Sequence, residues 1–220
     1  IESNLPQQSG FGSSAVFATA IFSELAKFYN YSLNNDRLYN LVLEAENFIH
    51  GHSSGADPSI VVYGGLIVFK QGKIKAISNK ALINQSFFLV NSGEASETTG
   101  EMVKKVADQK SNQKILQKIG VLSQQMINDL RIGTFDPSLL NQNQFLLEQI
   151  GIVGFRAQKI ISKLQKLEAF CKITGAGGIK TGSGYILAWH KNPQKFKKEL
   201  EAMGLEFFQT QIGIDYEKNN

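Results

Sequence analysis

At 220 residues, 42% of them hydrophobic, the chain can bury one larger core or two small ones. Its net charge of +4, with a pI near 9.0, is spread along the sequence apart from short clusters such as KFKKEL; no basic stripe with interleaved aromatics forms, which argues against a nucleic-acid partner. The single cysteine, Cys171, excludes a disulfide framework within the chain and fits a reducing cytoplasm, and no apolar run approaches the roughly 20 residues of a membrane-crossing helix.

In chain order, Ser13 and Ser14 offer cap hydroxyls to a helix over about 15–29. That helix is apolar nearly all round as far as Glu24 and is expected to be buried. A second helix is expected over about 36–50, stopped by Gly51. The run GHSSGADPS reads as a turn, and IVVYGGLIVFKQGKIKAI as a strand, a Gly64-Gly65 interruption, a strand, a QG turn and a short strand. Beyond a boundary near 82–84 come a strand near 87–90, a long helix over about 99–130, a helix opened by Asp136-Pro137, and a third helix in GFRAQKIISKLQKLEAF. CKITGAGGIKTGSGYILAWH reads as strand, glycine-rich loop, strand; NPQKFKKELEAMG as a helix; and LEFFQTQIG as a closing strand.

Four stretches carry chemistry. Gly10-Phe11-Gly12-Ser13-Ser14 runs into a helix, the build of an anion cradle in which glycine lets the backbone approach and free N–H groups point at a phosphate. The polar residues before it and the helix after the next break do not suit a dinucleotide fold. Glu46 shares an apolar stripe with Leu38, Val42 and Ile49, in steps of four, four and three, whereas Glu44 lies on the outer side. A carboxylate there needs a cation or several donors: a magnesium ion is one solution and a salt bridge the other. Asp57 sits in the Gly/Ser-rich turn and could face a cleft, or make an Asx turn before Pro58. His50 and His52, two apart at a helix end, do not face one another as metal ligands would and read as wall or cap residues. The loop TGAGGIKTGSG places five glycines between two strands, more than a turn needs; close approach to a ligand or to another loop explains them better.

Taken in order, these stretches resemble the GHMP small-molecule kinases. PQQSGFGSSA is similar to that family's phosphate loop, P-x-G-x-G-L-G-S-S-A, and KITGAGG to its C-terminal glycine motif. AENFIHGHSSGADPSIVVYGG resembles the mevalonate kinase signature within the family, E-x-x-x-H-G-x-[PS]-S-G-x-D followed by paired glycines. The resemblance implies an α+β fold: residues 1–82 as part of a domain like domain 2 of ribosomal protein S5, and 83–220 as a ferredoxin-like domain. It implies phosphoryl transfer from ATP to the primary hydroxyl of mevalonate, in isoprenoid biosynthesis, by a cytoplasmic enzyme that could form a homodimer. By position, Gly10, Phe11, Gly12, Ser13 and Ser14 match the phosphate cradle, Ser14 and Glu46 the magnesium ligands, and Asp57 the residue that takes or orients the hydroxyl proton. Ser54 and His50 match the substrate side, and Gly175, Ala176 and Gly177 the loop that closes on the phosphates.

Three departures accompany the resemblance. Gln8 stands where the phosphate loop carries glycine, and Lys180-Thr181 lengthens the C-terminal glycine loop. No counterpart precedes Ile1 for the family's first strand pair or for the lysine that approaches the catalytic aspartate, so the expectation is a fragment of a longer kinase, inactive without its upstream part. The alternatives are a kinase for another small alcohol (phosphomevalonate or a sugar) and a non-catalytic relative.

Overall fold

The computed structural model describes residues 11–78 and 80–213. They fall into two units, one comprising 11–78 with Gly213 and the other 80–212.

Unit 1 contains three mutually packed helices and a hairpin. Helix α1, Ser13–Phe28, starts from Gly12 in the left-handed conformation (φ 63°), with no side-chain cap. The hydroxyl expected to cap it is engaged elsewhere, as shown below. Helix α2, Asn35–His50, is capped by Asn34, whose Oδ1 accepts the Arg37 N–H at 2.9 Å, and it stops at Gly51 (φ 77°). Helix α3, Ala56–Tyr63, replaces the strand expected for IVVY. Gly55 (φ 83°) opens this helix and Gly64 (φ 64°) ends it. Asp57 and Pro58 stand in its first turn, which outweighs the β preference of three branched side chains. Strands β1, Ile67–Lys70, and β2, Lys73–Ala76, pair in antiparallel register from Ile67↔Ala76 to Lys70↔Lys73. Gln71 (φ 50°) and Gly72 (φ 75°) both take positive φ between them, the demand of a two-residue hairpin turn. The unit's core is Ala15, Ala18, Leu38, Val42 and Val62. The all-round burial expected of α1 is not found: Phe17, Leu25 and Phe28 are exposed.

Unit 2 begins with β3, Phe87–Asn91. The long helix expected next is broken into α4, Thr99–Ala107, a 3-10 turn at Lys110–Asn112, and α5, Gln113–Arg131. The break has a local cause. Buried Asn112 turns its amide onto the Val106 carbonyl (3.2 Å) and competes with the next helical turn. Thr98 and Glu101 form a reciprocal capping box at the start of α4. Helices α6, Ser138–Gln149, and α7, Phe155–Lys166, lead into β4, Phe170–Ile173, and β5, Tyr185–Trp189. Helix α8, Pro193–Ala202, and β6, Phe207–Thr210, complete the unit.

The sheet order is β4-β5-β3-β6, with antiparallel neighbours throughout. Strand, helices, two strands, helix and strand in that order make the ferredoxin-like arrangement. Alternate side chains separate the two faces. Phe88, Val90, Cys171, Ile173, Ile186 and Ala188 meet Ile161, Leu164, Phe196 and Leu200 of α7 and α8 in the main core. On the other face Phe87, Phe135, Trp189 and Phe170 form a chain of ring contacts at 5.6–6.0 Å. Strand β4 is an edge strand, and α6 supplies the acceptors its outer N–H groups need. Asn141 Oδ1 accepts the Cys171 N–H at 2.8 Å, and Gln144 Oε1 accepts the Ile173 N–H at 2.9 Å.

Candidate active site

In unit 1, three helices bring the sequence-predicted residues to one place. Gly12 presents the start of α1 to the start of α3. A Cβ built on Gly12 would stand 3.2 Å from Asp57 Cβ and 3.3 Å from its Cγ, so the Asp57 side chain lies directly against the loop backbone. Glycine is favoured at position 12 by its left-handed φ, and a Cβ there would press on the Asp57 side chain. The start of α1 is where a helix attracts an anion.

Ser14, two residues further in, donates its hydroxyl to Glu46 Oε1 of α2. Glu46 is 6% exposed and shares its stripe with buried Leu38 and Val42, as the sequence spacing predicts. Serine hydroxyl and carboxylate are hard oxygen donors already in contact. That donor set fits Mg²⁺, which takes one or two protein oxygens and completes its shell with phosphate and water. Among the described residues no group of three or more His, Cys, Asp or Glu converges as a metal cage, so the remaining positions of such a shell would come from ligand and water.

Asp57 is exposed in the first turn of α3. The loop before it is held by its own serines: Gly55 N–H donates to Ser53 Oγ and Ala56 N–H to Ser54 Oγ, both at 3.2 Å. Asn47 Oδ1 accepts the Ser53 N–H at 2.7 Å and pins the loop to the end of α2. A Cβ on Gly55 would meet the Tyr39 hydroxyl at 2.6 Å, so the left-handed entry to α3 packs directly against α2. Ser54 is exposed beside it. Gly10 and the side chain of His50 lie outside the described residues, although His50 is the last residue of α2. His52 is exposed.

A cleft of about 730 Å³ in unit 1 lies elsewhere, its lining including Asp36, Tyr63, Gly64, Gly65, Ile74 and Ile77. There the Tyr63 hydroxyl donates to Asp36 Oδ1 at 2.6 Å. Burial first, then the Asp36 carboxylate, push Tyr63 up to about 12, so it remains a donor.

In unit 2 the glycine-rich loop is explained largely by other loops. A Cβ on Gly177 (φ 81°) would stand 2.2 Å from the Ile152 carbonyl oxygen, one on Gly178 2.4 Å from Gly182 O, and one on Gly182 1.9 Å from Gly93 O. Gly175 (φ 63°) is exposed, and Ala176 packs at the edge of the core. Serines tie the closed part together. Ser92 Oγ donates to Gly184 O (2.7 Å) and accepts the Ser183 N–H (3.1 Å), while Ser183 Oγ donates to Gly178 O (2.7 Å). Thr181 Oγ1 donates to Glu94 O at 2.7 Å, and Glu97 accepts the backbone N–H groups of Ile179 and Lys180. Sequence reasoning missed Asn47, Ser92, Glu97 and Ser183. Their only signal is polarity, which any exposed position could carry.

The sequence pattern of the GHMP kinases N terminal domain matches residues 1–65. Mevalonate kinase from Archaeoglobus fulgidus is 31% identical over 81% of this chain and 61% of its own. The Methanococcus jannaschii mevalonate kinase structure superposes with a TM-score of 0.81 at 23% identity, covering 96% of this chain and 67% of that one. An L. major mevalonate kinase in complex with R-mevalonate superposes at 0.75 with 22% identity, over 93% and 67% respectively. The chain therefore spans about three fifths to two thirds of the length of the relatives it matches. Among the described residues no helix is long and apolar enough to cross a membrane.

Proposed function

The chain belongs to the GHMP kinase family, and on that footing we propose that it carries the phosphate cradle and proton-accepting group of an ATP-dependent kinase acting on the primary hydroxyl of mevalonate in the cytoplasm. The observation that carries this reading is the junction of Gly12, Asp57, Ser14 and Glu46 in unit 1.

Phosphoryl transfer asks the protein mainly to position groups and neutralise charge. The Gly10–Ser14 backbone binds the β- and γ-phosphates with its N–H groups at the start of α1. Ser14 and Glu46 would hold a magnesium ion, which when bound supplies positive charge to the phosphate oxygens. Asp57 lies against that backbone, so an alcohol bound beside Asp57 is also beside the terminal phosphate. The alcohol oxygen forms a bond to the γ-phosphorus as the bond from that phosphorus to the β-γ bridging oxygen breaks. Asp57 takes or orients the hydroxyl proton, and ADP leaves. Ser54 and the residue at the end of α2, His50, belong to the acceptor side.

ADP release with MgATP and mevalonate tests this directly. Asp57→Asn keeps the shape beside Gly12 but cannot take a proton, and turnover is expected to fall by about 10²-fold or more. Near-normal turnover in that variant would overturn the assignment. Faster turnover of phosphomevalonate or a sugar would move the acceptor while leaving phosphoryl transfer in place.

A further inference from the structure

Lys180-Thr181, which lengthens the loop between β4 and β5, and Ile179 before it lie outside the residues matched to the phosphate sites. Their geometry is specific nonetheless. The consecutive N–H groups of Ile179 and Lys180 converge on one carboxylate, donating to Glu97 Oε2 at 3.3 Å and Oε1 at 3.1 Å. Two successive backbone N–H groups aimed at one point are an anion site made of main chain. Three features fix its shape independently of Glu97. Gly182 N–H donates to Glu94 O at 2.9 Å, Gly184 N–H to Gly93 O at 3.0 Å, and the missing Cβ atoms of Gly178 and Gly182 allow the two segments to touch.

Charges of both signs surround it, with Lys180 and Arg156 on one side of the balance and Glu94 and Glu101 on the other. The ammonium of Lys180 is close enough to favour a negative charge at Glu97. Beside the same two segments opens a cleft of about 680 Å³ whose lining includes Glu94, Ser96, Arg156 and Thr181. The Arg156 guanidinium lies over Gly93, where a Cβ would meet its Nη1 at 3.3 Å, and it makes no ion pair among the described residues. The cleft thus offers an unpaired positive charge next to an anion site that is filled from within.

We propose that the N–H groups of Ile179 and Lys180 form a binding site for a phosphate-type anion, and that Glu97 occupies it as a tethered internal competitor. A phosphate group entering from the cleft exchanges with the carboxylate. The exchange swaps one set of charge-assisted hydrogen bonds for another, so little separates the two states. A carboxylate tethered by a few residues competes at a high effective concentration, and the site binds weakly while Glu97 is present. This inference is independent of the kinase reading, because it concerns main-chain donors in unit 2 and no acceptor alcohol.

The test uses the ¹⁵N-labelled 220-residue chain titrated with pyrophosphate without magnesium, following the Ile179 and Lys180 amide resonances. Glu97→Ala is expected to bind pyrophosphate at these two amides at least about tenfold more tightly than the unaltered chain. Glu97→Gln, which keeps an acceptor and the side-chain bulk but not the charge, is expected to fall between them. Adding Lys180→Met to Glu97→Gln should lower the affinity again. Unchanged amide shifts in β3 and β5 report an intact fold; if alanine disturbs the loop, the glutamine variant decides. Affinity at these amides that is equal to or weaker than that of the unaltered chain, in whichever variant keeps the fold, overturns the proposal.

Discussion

Lys172 carries an electrostatic cost that pH can remove. It stands on β4, on the face of the sheet opposite Cys171 and Ile173, and its Nζ donates to the Ile173 carbonyl at 2.7 Å. Burial pushes its pKa down to about 8 from an ordinary 10.5. Between those values the unfolded chain binds more protons than the folded one, so stability rises with pH across that window; below about 8 the full cost of the partly buried charge is present. Lys172→Met is therefore expected to stabilise the protein at pH 7 by about 1–2 kcal/mol, allowing for partial solvent screening and the lost hydrogen bond. The gain should shrink as pH rises through 8 to 10.5. Urea melts at pH 7 and pH 10 measure it, and an equal gain at both would refute the assignment. Nothing in KIT marks this lysine as buried, because a strand alternates faces and either face could have been wet. Glu46 was legible for the converse reason: steps of four from Leu38 and Val42 put it on a buried stripe, where a charge needs a partner, although Ile49, expected on the same stripe, is exposed. Ser14 was legible as a helix-start hydroxyl but with the wrong first role. It pairs with Glu46 across 32 residues, and Gly12 takes the cap position.

Among the elements, α6 is defined by what it does for an edge. Gln144 is 1% exposed, gives its Oε1 to the Ile173 N–H, and sends its Nε2 to Glu148 Oε1 at 2.9 Å. Leucine there would leave the strand's N–H without an acceptor in a dry place. Gln144→Leu is expected to cost about 1–3 kcal/mol in a denaturant melt, and amide exchange at Ile173 should accelerate more than at Ile186 in the adjacent strand. No loss of protection at Ile173 would show that the edge is satisfied by other means. That a helix opens after Asp136-Pro137 was readable; its edge-capping role depends on which strand lies at the rim, and that is a property of topology. The same limit explains the other misreadings. IVVY has strand propensity, but Gly55, Asp57 and Pro58 start a helix before it, and the signal lies outside the four residues. The run through 99–130 has helical periodicity on both sides of a break created by one buried asparagine. The ferredoxin-like order of β3 to β6, by contrast, agrees with what the resemblance to the kinase family implied, and the strands and the helix between β5 and β6 were themselves visible in the sequence.

At the scale of the whole chain, the two units are unequally supplied with core. Among the described residues, five buried apolar residues, two of them alanine, support unit 1, whereas 17 form the main core of unit 2, including Phe88, Met102 and Phe196. Unit 1 also leaves Phe17, Leu25, Phe28 and Phe48 in water, so much of its apolar surface contributes nothing to holding its helices together. Local stability should follow that difference. In the 220-residue chain, amides of α1 and α2 are expected to exchange at lower denaturant than those of β3 and β5, giving two separable steps. The proposed nucleotide site belongs to the weaker unit, which supplies a coupled expectation. A ligand that binds only the folded form adds RT ln(1 + [L]/Kd), about 2.7 kcal/mol at one hundred times Kd. MgATP should therefore move the first step toward the second while leaving the second in place. Uniform exchange across both units would refute the unequal-core argument. A ligand-induced shift confined to β3 and β5 would place the nucleotide in unit 2 and remove Gly12, Ser14 and Glu46 from its site. Protection of α1 alone would instead tie binding to the helix that starts at Gly12, where the loop backbone meets Asp57.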